Sequence, residues 1–504
     1  MTTINLTVHN DRRARAIERA REKNIIIPTY AQMKDPSKIP AKIADELKSI
    51  GLWDIHPRNL FRINWHNQPT ASGGTPSTSA STGSAQRLRT GFGGVNYLEL
   101  PSLLTGVPTR IIMIVGKWFP TGAHKVGAAF SCLVPRLVTG QFDPTTQKAV
   151  WPSTGNYCRG GAYDSALLGC ESIAILPEGM SRERFEWLSK VAGETIKTPG
   201  SESNVKEIFD KCWELKQSGQ DLMIFNQFEE FGNYLWHYEV TGHAMEEVFR
   251  QVAGKNDRYR GMASATGSAG TIASGDYMKK LFPDSKIVAS EALQCPTLLE
   301  NGFGAHRIEG IGDKHVPWIH NVKNTDVVTA IDDNAVVNIA RLFNEENGRA
   351  YLVEQGVPES LISNLDLLGF SGISNVLSCI KTAKYYEMTE NDIMITVLTD
   401  SMELYRSRLH EMHQEFGEYT EANAAADFAR YLHGQSTDNM LELRYPDRRR
   451  IHNLKYYTWV EQQGRTYEEI QQQWYEPNYW TDVQKQADEI DELIVEFNQE
   501  VGLN

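Results

Sequence analysis

The chain has 504 residues, 41% of them hydrophobic and 23% charged, with 64 acidic against 51 basic side chains and a net charge of -13. That length suits several domains and a large core, and the ordinary apolar and charged fractions exclude a fibrous or wholly disordered chain. The acidic balance repels phosphate backbones, which argues against nucleic acid as a partner, and no apolar run approaches the roughly 18–20 residues of a membrane-spanning helix.

The opening MTTINLTVHNDRRARAIERAREK lacks the apolar stretch of a secretory signal and reads as a charged helix. Cys132, Cys158, Cys170, Cys212, Cys295 and Cys379 are scattered without a CxxC pair. That usage suits reduced thiols in a cytoplasmic, enzyme-sized protein better than a disulfide framework or a zinc ribbon. Residues 1–91 read as a polar, mainly helical N-terminal extension. It ends in TASGGTPSTSASTGSAQ (70–86), a run too poor in apolar surface to offset its ordering entropy and therefore expected to be a mobile loop or linker.

From Phe92 to Leu409 short apolar runs alternate with helical patterns. The strand candidates are RIIMIV (110–115), SIAIL (172–176), DLMIF (221–225), GMASAT (261–266), KIVASEA (286–292) and DIMITVL (392–398). Helical spacing covers Val126–Val138, Val205–Leu215, Ile272–Leu281 and Ala335–Glu345. Continuously apolar strands alternating with helices predict an α/β fold with mainly parallel sheets buried on both faces. The stretch exceeds what one such sheet usually holds, so two lobes are expected, 92–250 and 251–409. Residues 410–504 turn polar and acidic and carry Trp459, Trp474 and Trp480, which predicts a helical extension packed on the core or on a second subunit.

Four segments carry chemistry. ATGSAGT (265–271) follows an apolar strand and opens a helix. Gly267, Ser268, Ala269, Gly270 and Thr271 would turn N–H groups and hydroxyls toward one point at a helix N-terminus, which suits a phosphate, or would simply form a tight glycine turn. WFPTGAHKVGAAF (118–130) puts Lys125 at the start of an apolar helix. There its amine either serves Schiff-base chemistry with a carbonyl or snorkels out from the helix end. In WPSTGNYCRGG (151–161), Ser153, Thr154 and the N–H groups that follow make either a nest for a carboxylate or an ordinary helix cap. VLTDSMELY (397–405) places Asp400 and Ser401 at the carboxyl end of the last apolar strand, the edge at which ligands bind in open parallel sheets.

The order of these segments resembles the fold type II pyridoxal-phosphate enzymes, the superfamily of tryptophan synthase β, cysteine synthase and cystathionine β-synthase. LPEGMSRERFEWLSKVAGETIKTPG (176–200), HYEVTGHAMEEV (237–248) and GAHRIEGIGDKHVPW (304–318) resemble further stretches of that superfamily. The resemblance implies pyridoxal 5'-phosphate as cofactor, held by Lys125, whose freed amine then takes and returns the substrate α-proton. It implies that Asn156 bonds the pyridine hydroxyl and that Gly267, Ser268, Ala269, Gly270 and Thr271 hold the phosphate. Ser401 matches the residue that meets the pyridine nitrogen, provided it, rather than the adjacent Asp400, faces the ring. Ser153, Thr154, Gly155 and the Asn156 N–H would clamp the substrate carboxylate, with Tyr157 in the same pocket.

Tyr157 stands where relatives usually carry a smaller residue or histidine, Val126 where cysteine synthases show aspartate, and His124 is like the tryptophan synthase β segment. Trp151 and Pro152 leave no acid for indole chemistry. The implied activity is β-replacement on a serine- or cysteine-type L-amino acid through an aminoacrylate, by a homodimer. The alternatives are β-elimination alone, as in a dehydratase or desulfhydrase, and a non-catalytic scaffold subunit. No metal site is expected: His410/His413 and His237/His243 lack a third ligand. Arg448, Arg449 and Arg450 read as a solvated face or as partners of the acidic tail.

Overall fold

The computed structural model describes residues 3–70, 89–153, 155–312 and 314–503. The linker expected at 70–86 lies outside these apart from Thr70, and so does Thr154. In chain order the strands are β1 (Asn67–Thr70), β2 (Arg89–Phe92), β3 (Tyr97–Leu100), β4 (Arg110–Val115), β5 (Lys148–Pro152), β6 (Glu171–Pro177), β7 (Glu194–Thr198), β8 (Leu222–Ile224), β9 (Arg258–Ala265), β10 (Lys286–Ala292), β11 (Val327–Ile331), β12 (Asp392–Leu398) and β13 (Met440–Glu442).

The larger sheet has the order β13-β11-β10-β9-β12-β4-β3, and the smaller the order β7-β6-β5-β8. β1 and β2 form a separate antiparallel ribbon. Within the larger sheet β4, β12, β9, β10 and β11 run parallel, while β3 and β13 pair antiparallel at its two edges. The smaller sheet is wholly parallel. All seven residues of β12 are buried, as are the last five of β4, which is why these central strands read as unbroken apolar runs.

The sheets divide the chain differently from the linear partition at residue 250. β3 and β4 precede the smaller sheet in sequence yet belong to the larger one, with β12 inserted between β4 and β9. An apolar run identifies a strand but not its neighbours, so periodicity gives no sign of this crossing. The expected helices form at Lys125–Val138, Val205–Gln217, Ala273–Leu281 and Asp333–Asn344.

The helices Lys125–Val138 and Asn156–Leu167 pack directly on each other. Gly160 permits the close approach, since a Cβ there would stand 2.8 Å from Val126 Cα and 3.0 Å from the Lys125 carbonyl oxygen. This crossing sets the STGN loop beside Lys125. On the same second helix Asp164 is fully buried with neither carboxyl oxygen hydrogen-bonded, and burial holds its pKa well above the ordinary aspartate value. A raised acid contributes its stability in full below about pH 3.8 and loses it as the pH rises toward the folded-state value. Asp164→Asn is therefore expected to melt higher than the parent at pH 8, with the gap closing as the pH is lowered. Thermal melts of both proteins across that range check it, and equal melting temperatures at pH 8 would contradict it.

The C-terminal extension is helical except for β13, and it packs on this chain's own core. Trp459 Nε1 donates to the Val316 carbonyl at 2.8 Å. The Lys455 amine is buried against the carbonyls of Trp318 and His320, both at 2.8 Å, and against Gln473 Oε1 at 2.6 Å. Trp480 lies against Phe231 and Tyr234. The arginine run divides between core and tail: Arg448 meets Asp326 at 3.1 Å and Arg450 donates to the Leu298 carbonyl, while Arg449 donates to Gln471 Oε1 at 3.0 Å and lies over the Trp474 ring. The last helix, Gln486–Val501, binds the N-terminal extension through Asn498 to the Ile27 backbone and through Asp491 to the N–H groups of Tyr30 and Ala31. No helix among the described residues is long and apolar enough to cross a membrane.

Candidate active site

The carboxyl ends of β9 and β12 open on one pocket, with the STGN loop after β5 on its other side. Its wall includes Lys125, Ser153, Asn156, Tyr157, Arg184, Gln227, residues 267–271, Gly310, Asn375 and Thr399. Lys125 begins its helix, and its Nζ donates to Ser268 Oγ at 2.9 Å. The same hydroxyl accepts from Asn233 Nδ2 at 3.0 Å. Lysine helix and glycine loop are thereby joined across 143 residues of sequence.

The loop between β9 and the helix Ala273–Leu281 turns through Ala269, whose φ of 59° is left-handed. A Cβ on Gly270 would lie 2.1 Å from Asn233 Oδ1, and one on Gly267 would lie 2.7 Å from the Gly310 carbonyl oxygen. Larger residues at either position would displace those neighbours. The N–H groups of this loop lie at the positive end of the helix that follows, an arrangement suited to a phosphate.

On the opposite wall Gly155 takes a φ of 153°, and a Cβ there would stand 2.4 Å from Arg184 Nε. Ser153 Oγ accepts from Gly155 N at 3.0 Å and from Gln227 Nε2 at 3.3 Å. These donors converge where a carboxylate oxygen would be received. Asn156 opens its helix, with its Nδ2 donating to Asp400 Oδ2 at 2.7 Å and its Oδ1 accepting from Arg159 Nη1 at 3.3 Å.

Asp400 is 1% exposed and also accepts from the Tyr405 hydroxyl at 2.7 Å. Burial raises its pKa, opposed by the neighbouring Arg184, Tyr405 and Asn156. Arg184, likewise 1% exposed, donates to the Tyr405 hydroxyl at 3.0 Å, pairs with Glu309 and stands 4.0 Å from Asp400. Glu309 in turn meets Arg408 at 2.6 Å. A chain of polar groups thus runs from Asn156 to the loop that carries Gly310.

The structure brings Lys125, Ser153, Asn156, Tyr157 and residues 267–271 to one pocket. It does not bring Ser401 or Asp400 to the wall: Ser401 is buried at the start of the short turn Met402–Tyr405, and Thr399 supplies the wall there. Tyr157 is buried, with its hydroxyl beside the Cys132 thiol and its ring edge-on to Trp151. His124 and His237 lie ring to ring behind Lys125, both fully buried, and burial holds each pKa well below the ordinary histidine value.

Sequence reading missed Arg184, Gln227, Asn233, Asn375 and Thr399. Gln227 and Asn233 sit in NQFEEFGN, where no periodicity sets them apart. Arg184 lies within the quoted segment 176–200 but reads there as one charge on a helix.

These residues fit pyridoxal phosphate. The Lys125 amine, a glycine loop at a helix N-terminus whose Gly270 leaves no room for a Cβ, and the Asn156 amide donor converge on one pocket. A family model described as "Pyridoxal-phosphate dependent enzyme" matches residues 96–351. The chain is 28% identical over 317 residues to a cysteine synthase of Staphylococcus aureus, covering 63% of this chain and 94% of that protein. It is 26% identical over 322 residues to the cystathionine beta-synthase of Saccharomyces cerevisiae, covering 62% and 59% respectively. Among solved structures, the O-acetylserine dependent cystathionine beta-synthase from Helicobacter pylori superposes with a TM-score of 0.52 at 20% identity, over 62% of this chain and 94% of that one. The match takes in the Lys125, STGN and glycine-loop segments, and the chain belongs to the pyridoxal-phosphate-dependent enzymes.

Proposed function

We propose that this enzyme catalyses β-replacement on a serine- or cysteine-type L-amino acid, with sulfide or a thiol as acceptor. The observation that carries the reading is the Lys125 amine, 2.9 Å from Ser268 in the glycine loop and in one pocket with the STGN loop. The cysteine synthase and cystathionine beta-synthase relatives support the reaction class. The six scattered cysteines, without a CxxC pair, suit a reducing cytoplasm. The homodimeric state is a proposal of the resemblance alone, because the tryptophans of the C-terminal extension find their partners within the chain.

Pyridoxal phosphate, when bound, supplies an electron sink for the bonds at the substrate's α-carbon. The protein's own groups do the rest. The N–H groups of residues 267–271 hold a phosphate at the helix N-terminus. Gly155 N–H and Gln227 Nε2, which now meet on Ser153 Oγ, receive the substrate carboxylate and orient the α-hydrogen toward Lys125. The Lys125 amine removes that proton and returns it after the β-substituent has been exchanged. His124 and His237, held neutral by burial, add no positive charge beside this amine. The apolar surfaces of Phe228, Ala265 and Val397 in the pocket wall limit water.

A tyrosine at position 157 that filled the space a second substrate needs would favour elimination over replacement. Its hydroxyl instead lies by Cys132, between the two packed helices, which favours replacement. The test is a visible spectrum of the purified enzyme before and after L-serine, O-acetyl-L-serine and L-cysteine, followed by product analysis with sulfide present. A donor-dependent spectral shift with a new amino acid supports replacement. A 2-oxo acid with ammonia as the sole product means elimination, and a protein that takes up no pyridoxal phosphate would refute catalysis altogether.

A further inference from the structure

We infer that Asp400 is a positioning residue for the cofactor: together with Arg159 it locks the Asn156 side-chain amide so that its nitrogen, and never its oxygen, faces the 3'-oxygen of the pyridine ring. This rests on the reading of the pocket as the pyridoxal-phosphate site.

The geometry holds the amide at both ends. Asp400 Oδ2 accepts from Asn156 Nδ2 at 2.7 Å, while Arg159 Nη1 donates to Asn156 Oδ1 at 3.3 Å. Arg159 is itself fixed, with Nη2 donating to the Thr121 carbonyl at 2.8 Å and its guanidinium lying over the Trp187 ring. A primary amide carries two N–H donors. Asp400 takes one, and the second is left for an acceptor in the pocket that Asn156 lines.

A flip of the amide would set its oxygen against the Asp400 carboxylate and its nitrogen against the Arg159 guanidinium. It would also present a lone pair to an oxygen-bearing ring. Both changes are unfavourable, so the anchors act as a lock on one of two rotamers that would otherwise be close in energy. Asp400 is held in turn by the Tyr405 hydroxyl at 2.7 Å, and Gly369 leaves room for its other oxygen, since a Cβ there would fall 2.0 Å from Asp400 Oδ1. Asp400 thereby acts through Asn156 and is not itself the partner of the pyridine nitrogen. Nothing in VLTDSMELY read as a sequence separates those two roles, because the contact spans 244 residues.

A cycle with a cofactor lacking the 3'-oxygen reads this contact alone. Dissociation constants for pyridoxal 5'-phosphate and 3-deoxypyridoxal 5'-phosphate are measured by absorbance for the parent, Asp400→Ala and Asp400→Asn. The parent is expected to prefer pyridoxal phosphate about tenfold, the equivalent of one charge-assisted hydrogen bond. Asp400→Ala is expected to bind the two compounds within about twofold of each other. Asp400→Asn keeps an acceptor oxygen for Asn156 and Tyr405 and is expected to fall between. The pH at which the bound cofactor's visible band titrates should rise in Asp400→Ala, because the ring oxygen loses a donor to its ionised form.

A general loosening of the fold would weaken both compounds equally and leave the ratio and the titration unchanged. That outcome, in either variant that folds, overturns the assignment. Loss of pyridoxal phosphate binding by the parent itself would instead overturn the reading of the site.

Discussion

Replacement of Lys125 by alanine is expected to lower turnover by about 10³-fold or more while leaving the melting profile close to that of the parent. Two effects combine. The variant lacks the only side-chain amine among the described residues of the pocket wall and with it the proposed base for the α-proton, a role worth roughly 10²–10⁴-fold in enzymes that depend on general base catalysis. It also lacks the donor to Ser268, whose hydroxyl is left with Asn233 Nδ2 and the Gly270 N–H of its own loop. Little stability should go with it, because the amine sits at the mouth of a helix whose other residues are almost all buried apolar groups. Steady-state rates with the donor amino acid and sulfide, beside a thermal melt, measure both quantities. A variant that keeps more than about a tenth of the parent activity would remove Lys125 from the chemistry.

The second large effect is expected on stability. Arg184→Met should cost about 3–5 kcal/mol, the range seen when one partner of a buried ion pair is removed and the other charge is left behind. The arginine stands between two buried carboxylates, Glu309 and Asp400, and also bonds Tyr405. Glu309 keeps Arg408 and Asp400 keeps Asn156, so the lower end of the range is the closer expectation. Methionine fills much of the volume, which separates the electrostatic loss from that of a cavity. Urea unfolding at fixed cofactor concentration reads the change in midpoint, and a loss below about 1 kcal/mol would mean that the carboxylates find other partners or protonate. The site should suffer as well, since Arg184 closes against Gly155 and links the STGN loop to the loop bearing Gly310.

Much of the local structure was legible. RIIMIV, KIVASEA and DIMITVL form strands with the bounds that their apolar runs mark, because a strand buried on both faces has to be apolar throughout. Lys125 and residues 267–271 stood out because each pairs a chemically expensive residue or a glycine turn with the start of a helix. What escaped was any residue whose role depends on a distant partner. Gln227 matters through Ser153, 74 positions away, and Asp400 through Asn156. The tryptophan-bearing tail, open in the sequence to a core or a second subunit, closes on its own chain at Val316 and Tyr234.

The sequence by itself determined the strand and helix segments and the α/β class, because these follow from side-chain period, and it marked Lys125 and the glycine loop as candidates whose chemistry only the family resemblance named. Only the tertiary structure decided that β3 and β4 join the larger sheet, that Thr399 rather than Ser401 reaches the pocket wall, and that Asp400 faces Asn156. Those outcomes depend on which elements become neighbours across hundreds of residues, and that is set by packing of the whole core.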